Sequence, residues 1–352
     1  MLSHIARLGL VSPVVAMVGL LAAPAVAQNA TPAMYTWTKG DQQFFRWTEQ
    51  TKGKLAGSPG MESETTSARV STVTWDVTDV KDGIATIKVT YNGISLETQM
   101  PKGPVAKYDS LSPQGSDSPV LTSVFGPIVG ESFTFMVDGK GNVSKVEGMK
   151  AVTAKLKEKA KDVQGSSTYL NELNNSMSDE RIKKNLERVI SGGSDTAVKV
   201  GDTWSDSLEL PLPQPTLGSM KTERQMTLKS IDAGVATIGF AIKISHIEPK
   251  EGDPAKAMFD MVKPKMDNAT GTGERIINEK GQIVKSAFTL NVPIDITMPG
   301  QDMKIKNTMN MMLSLEKLDK APVASVPQAP PAAPAPPAGA SPNLGNTPPA
   351  KK

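Results

Sequence analysis

The stretch Val284-Lys285-Ser286-Ala287-Phe288-Thr289-Leu290-Asn291-Val292-Pro293-Ile294-Asp295-Ile296-Thr297-Met298 alternates over fifteen residues. Its even positions carry Phe288, Leu290, Val292, Ile294 and Ile296; its odd positions carry Lys285, Thr289, Asn291, Asp295 and Thr297. A period of two over this length specifies a strand with one buried face and one wet face. Pro293 falls on the wet side and marks an edge or a bulge. Pro299-Gly300 follows, where Pro presets the first corner of a type II turn and Gly takes the positive φ of the second. The chain returns through Met303, Ile305, Met309, Met311, Leu313 and Leu315, alternating with polar residues. A long antiparallel hairpin is expected.

Two further hairpins read the same way. Val73, Trp75 and Val77 run into Lys81-Asp82-Gly83 and return as Ala85, Ile87, Val89 and Tyr91. Met226 and Leu228 run into Asp232-Ala233-Gly234 and return as Ala236, Ile238, Phe240, Ile242 and Ile244. The Asp-Gly pair is a strong hairpin signal.

These segments imply an internal repeat. Gly83-Ile84-Ala85-Thr86-Ile87 matches Gly234-Val235-Ala236-Thr237-Ile238, and the turn at 137–143 matches that at 277–283. More weakly, Lys39-Gly40-Asp41 matches Val200-Gly201-Asp202. Two copies are expected, about 34–148 and 196–318.

Between them, Met149, Val152, Leu156, Ala160 and Val163 follow helical spacing, as do Ile182, Leu186, Val189 and Ile190. Ser178 is the expected N-cap of the second helix, with Asp179 and Glu180 in its first turn, Arg188 near its end and Gly192-Gly193 beyond. Each helix has one apolar stripe and must lie on a sheet. The expected fold class is α+β, mainly antiparallel β. Two similar β-meander halves form a curved sheet, a half-barrel or paired sandwiches, with a two-helix insertion between them. The expected organisation is a cleaved signal peptide at 1–27, a first β half at 28–148, a helical connector at 149–195, a second β half at 196–320, and a disordered Pro/Ala-rich tail at 321–352.

The ends and the composition narrow the function. Arg7, an apolar run from Leu8 and Ala25-Val26-Ala27 form a secretory signal with an A-x-A cleavage site. The apolar run is broken by Pro13 and Pro24 and is short for a membrane span, so the cleaved product is expected to be soluble and not membrane-spanning, in the periplasm or outside the cell. The tail has the composition of an extended polyproline II segment. Outside Arg7, Lys351 and Lys352, the 39 basic residues fall to the same number as the 36 acidic ones, which argues against nucleic acid as a partner. With no Cys, thiol catalysis, Cys-ligated zinc and a disulfide scaffold are excluded. His246 is the one histidine left after cleavage, and no G-x-S-x-G elbow accompanies it. Asp79, Asp82, Asp109 and Asp202 read as turn-forming residues. No catalytic residue, metal ligand or cofactor is therefore assigned.

Methionine is the compositional anomaly: 18 in all, ten of them between Met220 and Met312. Core filling, a pliable apolar cavity and soft Cu(I) ligation are the three readings. The lysines around Lys150–Lys161 form a solvated helix face, or a contact for anionic headgroups.

Val200-Gly201-Asp202-Thr203-Trp204, Tyr108-Asp109-Ser110, and Gly130-Glu131-Ser132-Phe133-Thr134-Phe135 with the turn Asp138–Gly141 resemble an uncharacterised family of exported bacterial β-rich proteins. That resemblance covers nearly all of the body and implies no catalytic residues. In overall shape the chain is similar to half-barrel lipoprotein carriers, which hold acyl chains between a curved sheet and helices. The expected function is a non-enzymatic envelope binding module for a lipid, another apolar ligand or an envelope protein. Phe288, Leu290, Ile294 and Met309 would line its concave face, under the helix around Met149 to Val163. The alternatives are a structural or interaction protein acting through the Pro-rich tail, and a carboxylate-based hydrolase.

Overall fold

A computed structural model describes residues 31–32, 35–57, 62–99, 103–112, 116–167, 169–170, 177–212, 218–298 and 303–321. The expected signal at 1–27, the expected turn at Pro299-Gly300 and the expected tail beyond 321 lie outside the described residues.

In chain order the elements are β1 (Thr31–Pro32), β2 (Gln42–Ala56), β3 (Ser63–Lys81), β4 (Ile84–Gln99), β5 (Val105–Asp109), α1 (Pro119–Phe125), β6 (Ser132–Val137), β7 (Val143–Glu147), α2 (Met149–Ala160), α3 (Asp179–Ile190), β8 (Ala197–Val198), β9 (Thr203–Pro211), β10 (Ser219–Asp232), β11 (Val235–Ile247), α4 (Pro254–Val262), β12 (Thr270–Ile277), β13 (Ile283–Met298) and β14 (Met303–Leu318). Among the described residues β1 pairs only with β8. The others form one antiparallel 12-stranded sheet in the order β7-β6-β4-β3-β2-β14-β13-β12-β11-β10-β9, with β5 also on β4.

The hairpin that opened the sequence reading is present. β13 pairs with β14 from Lys285 opposite Glu316 to Met298 opposite Met303. Pro293 pairs with Thr308 in β14, but β12 has already left β13 at Asn291, so its missing N–H falls on a local edge.

The join between the halves is β14 against β2, with Leu315 opposite Trp47 and Met311 opposite Thr51. The halves are thus one continuous sheet, and the paired-sandwich alternative is corrected. The two end strands do not pair with each other, so the sheet is open. Eleven strands at about 4.8 Å spacing would span roughly 48 Å if flat. Yet α3, a cylinder about 10 Å wide, touches β7 at one end, β9 at the other, and β13 and β14 in the middle. The sheet must therefore curl around the helix.

Both halves use the same devices at the matched positions. Gly40 N donates to Val77 O and Val77 N to Asp41 O; likewise Gly201 N donates to Leu228 O and Leu228 N to Asp202 O. A register shift follows each, between Val77 and Asp79 and between Leu228 and Ser230. Asp138 Oδ1 accepts from the backbone N–H groups of Lys140 and Asn142, and Asn278 Oδ1 from those of Lys280 and Gln282. The N-terminal segment ties these last two turns together: Tyr35 N donates to Gly139 O at 2.6 Å and Thr36 N to Gly281 O at 3.1 Å.

One apolar core runs through both halves. In the first, Phe45, Trp75 and Phe135 stack at centroid distances of 4.6 and 5.1 Å. In the second, Phe240 and Phe288 meet edge to face at 4.9 Å.

Candidate functional site

The helix α3 begins as its sequence dictates. Ser178 caps it, its hydroxyl accepting from Arg181 N, and Asp179 in the first turn accepts Met149 N at 3.0 Å, which fixes α3 against the start of α2. Its other end is held by the sheet. The carbonyl of Arg188 accepts from Arg224 Nη1 at 3.1 Å, that of Val189 from Arg275 Nη2 at 2.8 Å and Ser286 Oγ at 2.7 Å. The carbonyl of Ile190 accepts from the Tyr35 hydroxyl at 2.7 Å, that of Ser191 from Arg275 Nη1 at 2.9 Å, and that of Gly192 from Trp204 Nε1 at 2.8 Å. A helix C-terminus exposes orphan carbonyls and partial negative charge, and buried guanidiniums answer both.

Neither arginine is left as a bare buried charge. Arg224 is also ion-paired with Asp206 and donates to Ser191 Oγ at 2.7 Å. The Arg275 guanidinium lies 4.9 Å over the ring of Phe240. Burial pulls the guanidinium of Arg275 below its ordinary value, Tyr35 opposing. Burial also pushes the Tyr35 hydroxyl up, while Arg275 and Arg224 pull it back.

Between α3, α1 and the concave face lies a cavity of about 240 Å³. Its apolar wall is Phe288 and Leu290 of β13, Met311, Met312 and Leu313 of β14, Leu96 of β4, Met220 of β10 and Phe125 of α1. Its polar wall includes Glu49, Arg69, Arg181, Asn185 and Arg188, with Gln50, Thr51 and Ser67 beside them. Arg69 and Glu49 form an ion pair across β3 and β2. Arg181, Asn185 and Arg188 fall on one side of α3, at spacings of four and three residues. The Nε of Arg188 is shielded from solvent and has no hydrogen-bond partner among the described residues. Burial is the chief cause that brings this guanidinium down to about 10; Glu49 opposes, while Arg181 and Arg224 push the same way. It still carries its charge at neutral pH. A larger groove of about 710 Å³ crosses β9–β11, but its walls are mostly charged and polar, with only Ala241 and Ile242 apolar, so it offers little to an apolar ligand.

Phe288, Leu290, Ile294 and Met309 are all buried, at 2, 4, 1 and 9% exposure. Phe288 and Leu290 line the cavity; Ile294 and Met309 lie outside its lining. The cover also differs from expectation. It comes from α1 and α3, whereas α2, which ends at Ala160 rather than Val163, buries Met149, Val152 and Leu156 against α1 and β6. The arginines escaped the sequence reading. Their signal was phase: Arg224 shares a face with Met220, Met226 and Leu228, and Arg69 shares one with Val73 and Trp75.

His246 lies one residue before the end of β11, opposite Met220, its ring 5.3 Å from that of Phe259. Asp109 and Asp202 close turns through Leu111 N and Lys199 N. Among the described residues no three His, Asp or Glu side chains are grouped to hold a metal ion, and no helix is long and apolar enough to cross a membrane.

A family model described as a family of unknown function, DUF6263, matches residues 82–281, more than half of the chain. The chain belongs to this family. The matched segment runs from the β3–β4 turn to the β12–β13 turn and so includes α1, α2 and α3. No match was found among curated proteins. Among solved structures the chain is similar to lipovitellin, described for its lipid–protein interactions, at 10% identity and a TM-score of 0.42; 83% of this chain is covered and 26% of that one. The chain therefore spans about a quarter of lipovitellin's length. It is also similar to the translocator domain of the autotransporter NalP from Neisseria meningitidis, at 8% identity and a TM-score of 0.20, covering 80% of this chain and 90% of that one.

Proposed function

We propose that this member of DUF6263 is an exported cell-envelope protein that binds an apolar ligand in the cavity beneath α1 and α3. The supporting observation is the cavity itself: eight apolar side chains from four strands and one helix border a volume that the described residues leave unfilled. Methionines among them suit a site that adapts to its occupant. Native mass spectrometry of protein purified from its own envelope is expected to show a co-purifying lipid or other apolar small molecule. Repeated absence of any adduct would count against the reading.

Export rests on the leader at 1–27. The intact mass of the mature chain is expected to begin at Gln28; a chain retaining Met1 in the envelope fraction would refute cleavage. The same reading takes the two meanders as copies of one unit, supported by their matching turns and register shifts. Replacing residues 278–282 by the sequence of 138–142 is then expected to leave the melting temperature within a few degrees, and loss of folding would argue that the turns are not equivalent.

A further inference from the structure

We propose that the cavity takes a single-chain anionic amphiphile, its oxyanion head on Arg188 and Arg181 and its chain along Phe288, Leu290 and Met311. This rests on the binding reading above and specifies the ligand's chemistry.

The charge of the lining sets the head. Glu49 is one carboxylate among three guanidiniums, and it is committed to Arg69. The sheet's two buried arginines are committed as well, Arg224 to Asp206 and Arg275 to the end of α3. Arg188 is different: its Nε is buried and, among the described residues, without an acceptor. Protein interiors rarely leave such a donor unmet. An acceptor entering from the cavity would meet it, and a carboxylate or phosphate suits the planar fork of a guanidinium best. Arg181 stands two turns earlier on the same side of α3 and adds a second positive charge to the same wall.

The size sets the tail. At about 240 Å³ the cavity lies below the ~300–1,000 Å³ of sites that enclose drug-sized ligands. It has room for one alkyl chain; the second chain of a two-chain phospholipid would have to lie outside it. A fatty acid and a single-chain phospholipid share this chemistry.

The test is calorimetric titration of the delipidated full chain with four probes of equal chain length, each below its micelle concentration. They are dodecanoate, dodecyl phosphate, dodecanol and dodecyltrimethylammonium, with acetate and inorganic phosphate as head-only controls. Either anionic probe is expected to bind at least about tenfold tighter than dodecanol, with the cation and the head-only controls weakest. In Arg188→Met that preference is expected to vanish while dodecanol binding persists; Arg188→Lys should keep part of it. The tighter of the two anions then tells a fatty acid from a phosphate head. Dodecanol binding as tightly as dodecanoate would overturn the assigned head and leave the binding reading standing. Binding of acetate or phosphate as tight as their alkyl forms would overturn the assigned tail. No binding by any chain would overturn both. The wild-type series decides between these outcomes even if Arg188→Met does not fold.

Discussion

Arg275 on β12 donates through Nη2 to the carbonyl of Val189 on α3 at 2.8 Å, across 86 residues of chain. With Nη1 on Ser191 O, one guanidinium bridges two carbonyls at the end of the helix that roofs the cavity. Arg275→Met would leave Ser191 O without this donor in the interior and remove the cation from the rings of Phe240 and Phe288. A loss of about 2–5 kcal/mol is expected in urea denaturation. Arg275→Lys should recover little, because one ammonium lacks the fork that spans both carbonyls. A melting curve for Arg275→Met that superimposes on wild type would remove the arginine from any role in holding α3.

Gly141 and Gly83 separate backbone strain from steric conflict. Both have positive φ, 84° and 78°. Among the described residues a Cβ at Gly83 meets nothing within 4 Å, whereas one at Gly141 would sit 2.0 Å from the carbonyl oxygen of Ile190. Gly83→Ala is expected to cost about 1–2 kcal/mol, the left-handed penalty alone. Gly141→Ala should cost about 3 kcal/mol or more, because the β6–β7 turn must move off the end of α3. Equal costs in paired urea melts would refute the contact.

Ala233 occupies the turn position that Asp82 holds in the other half, and both have positive φ, 49° and 52°. Asp and Asn tolerate this conformation better than Ala. Ala233→Asn is expected to stabilise the protein by about 0.5–1 kcal/mol. A lower midpoint would show that the turn is held by something other than backbone preference.

Glu187 gives a pH signature. Burial raises its carboxyl above the ordinary value, with Lys184 and Lys183 opposing. The native state therefore keeps this proton to higher pH than the unfolded chain does. Stability is full below the ordinary carboxylate range and falls as pH rises through the raised value. At pH 7 Glu187→Gln is expected to melt higher than wild type, by less than ~1 kcal/mol. At pH 4 and below the gap should close. A gap that persists unchanged at pH 4 would assign the gain to packing instead.

Much of the fold was legible in local pattern. The β13–β14 hairpin, the Asp82-Gly83 turn and the span of α3 from Ser178 to Ile190 follow from alternation, turn residues and caps, all set by near neighbours. α1 and α4 were not legible: at seven and nine residues they are too short for a period to show. Of the cavity, Phe288 and Leu290 were legible because they sit on the apolar phase of a long strand. Arg181 and Arg188 were not, since a charged residue beside an apolar helical stripe reads as solvated.

Side-chain alternation and capping chemistry act between residues a few positions apart, so the chain's order of residues was enough to determine its ribbons, its turns and the ends of α3. The meeting of β14 with β2, the curl of the sheet and the gathering of Arg188, Glu49 and Phe288 around one space depend on groups far apart in the chain. Those were decided only on folding, when burial of the apolar faces drew them together and set the buried charges beside whatever groups lay opposite.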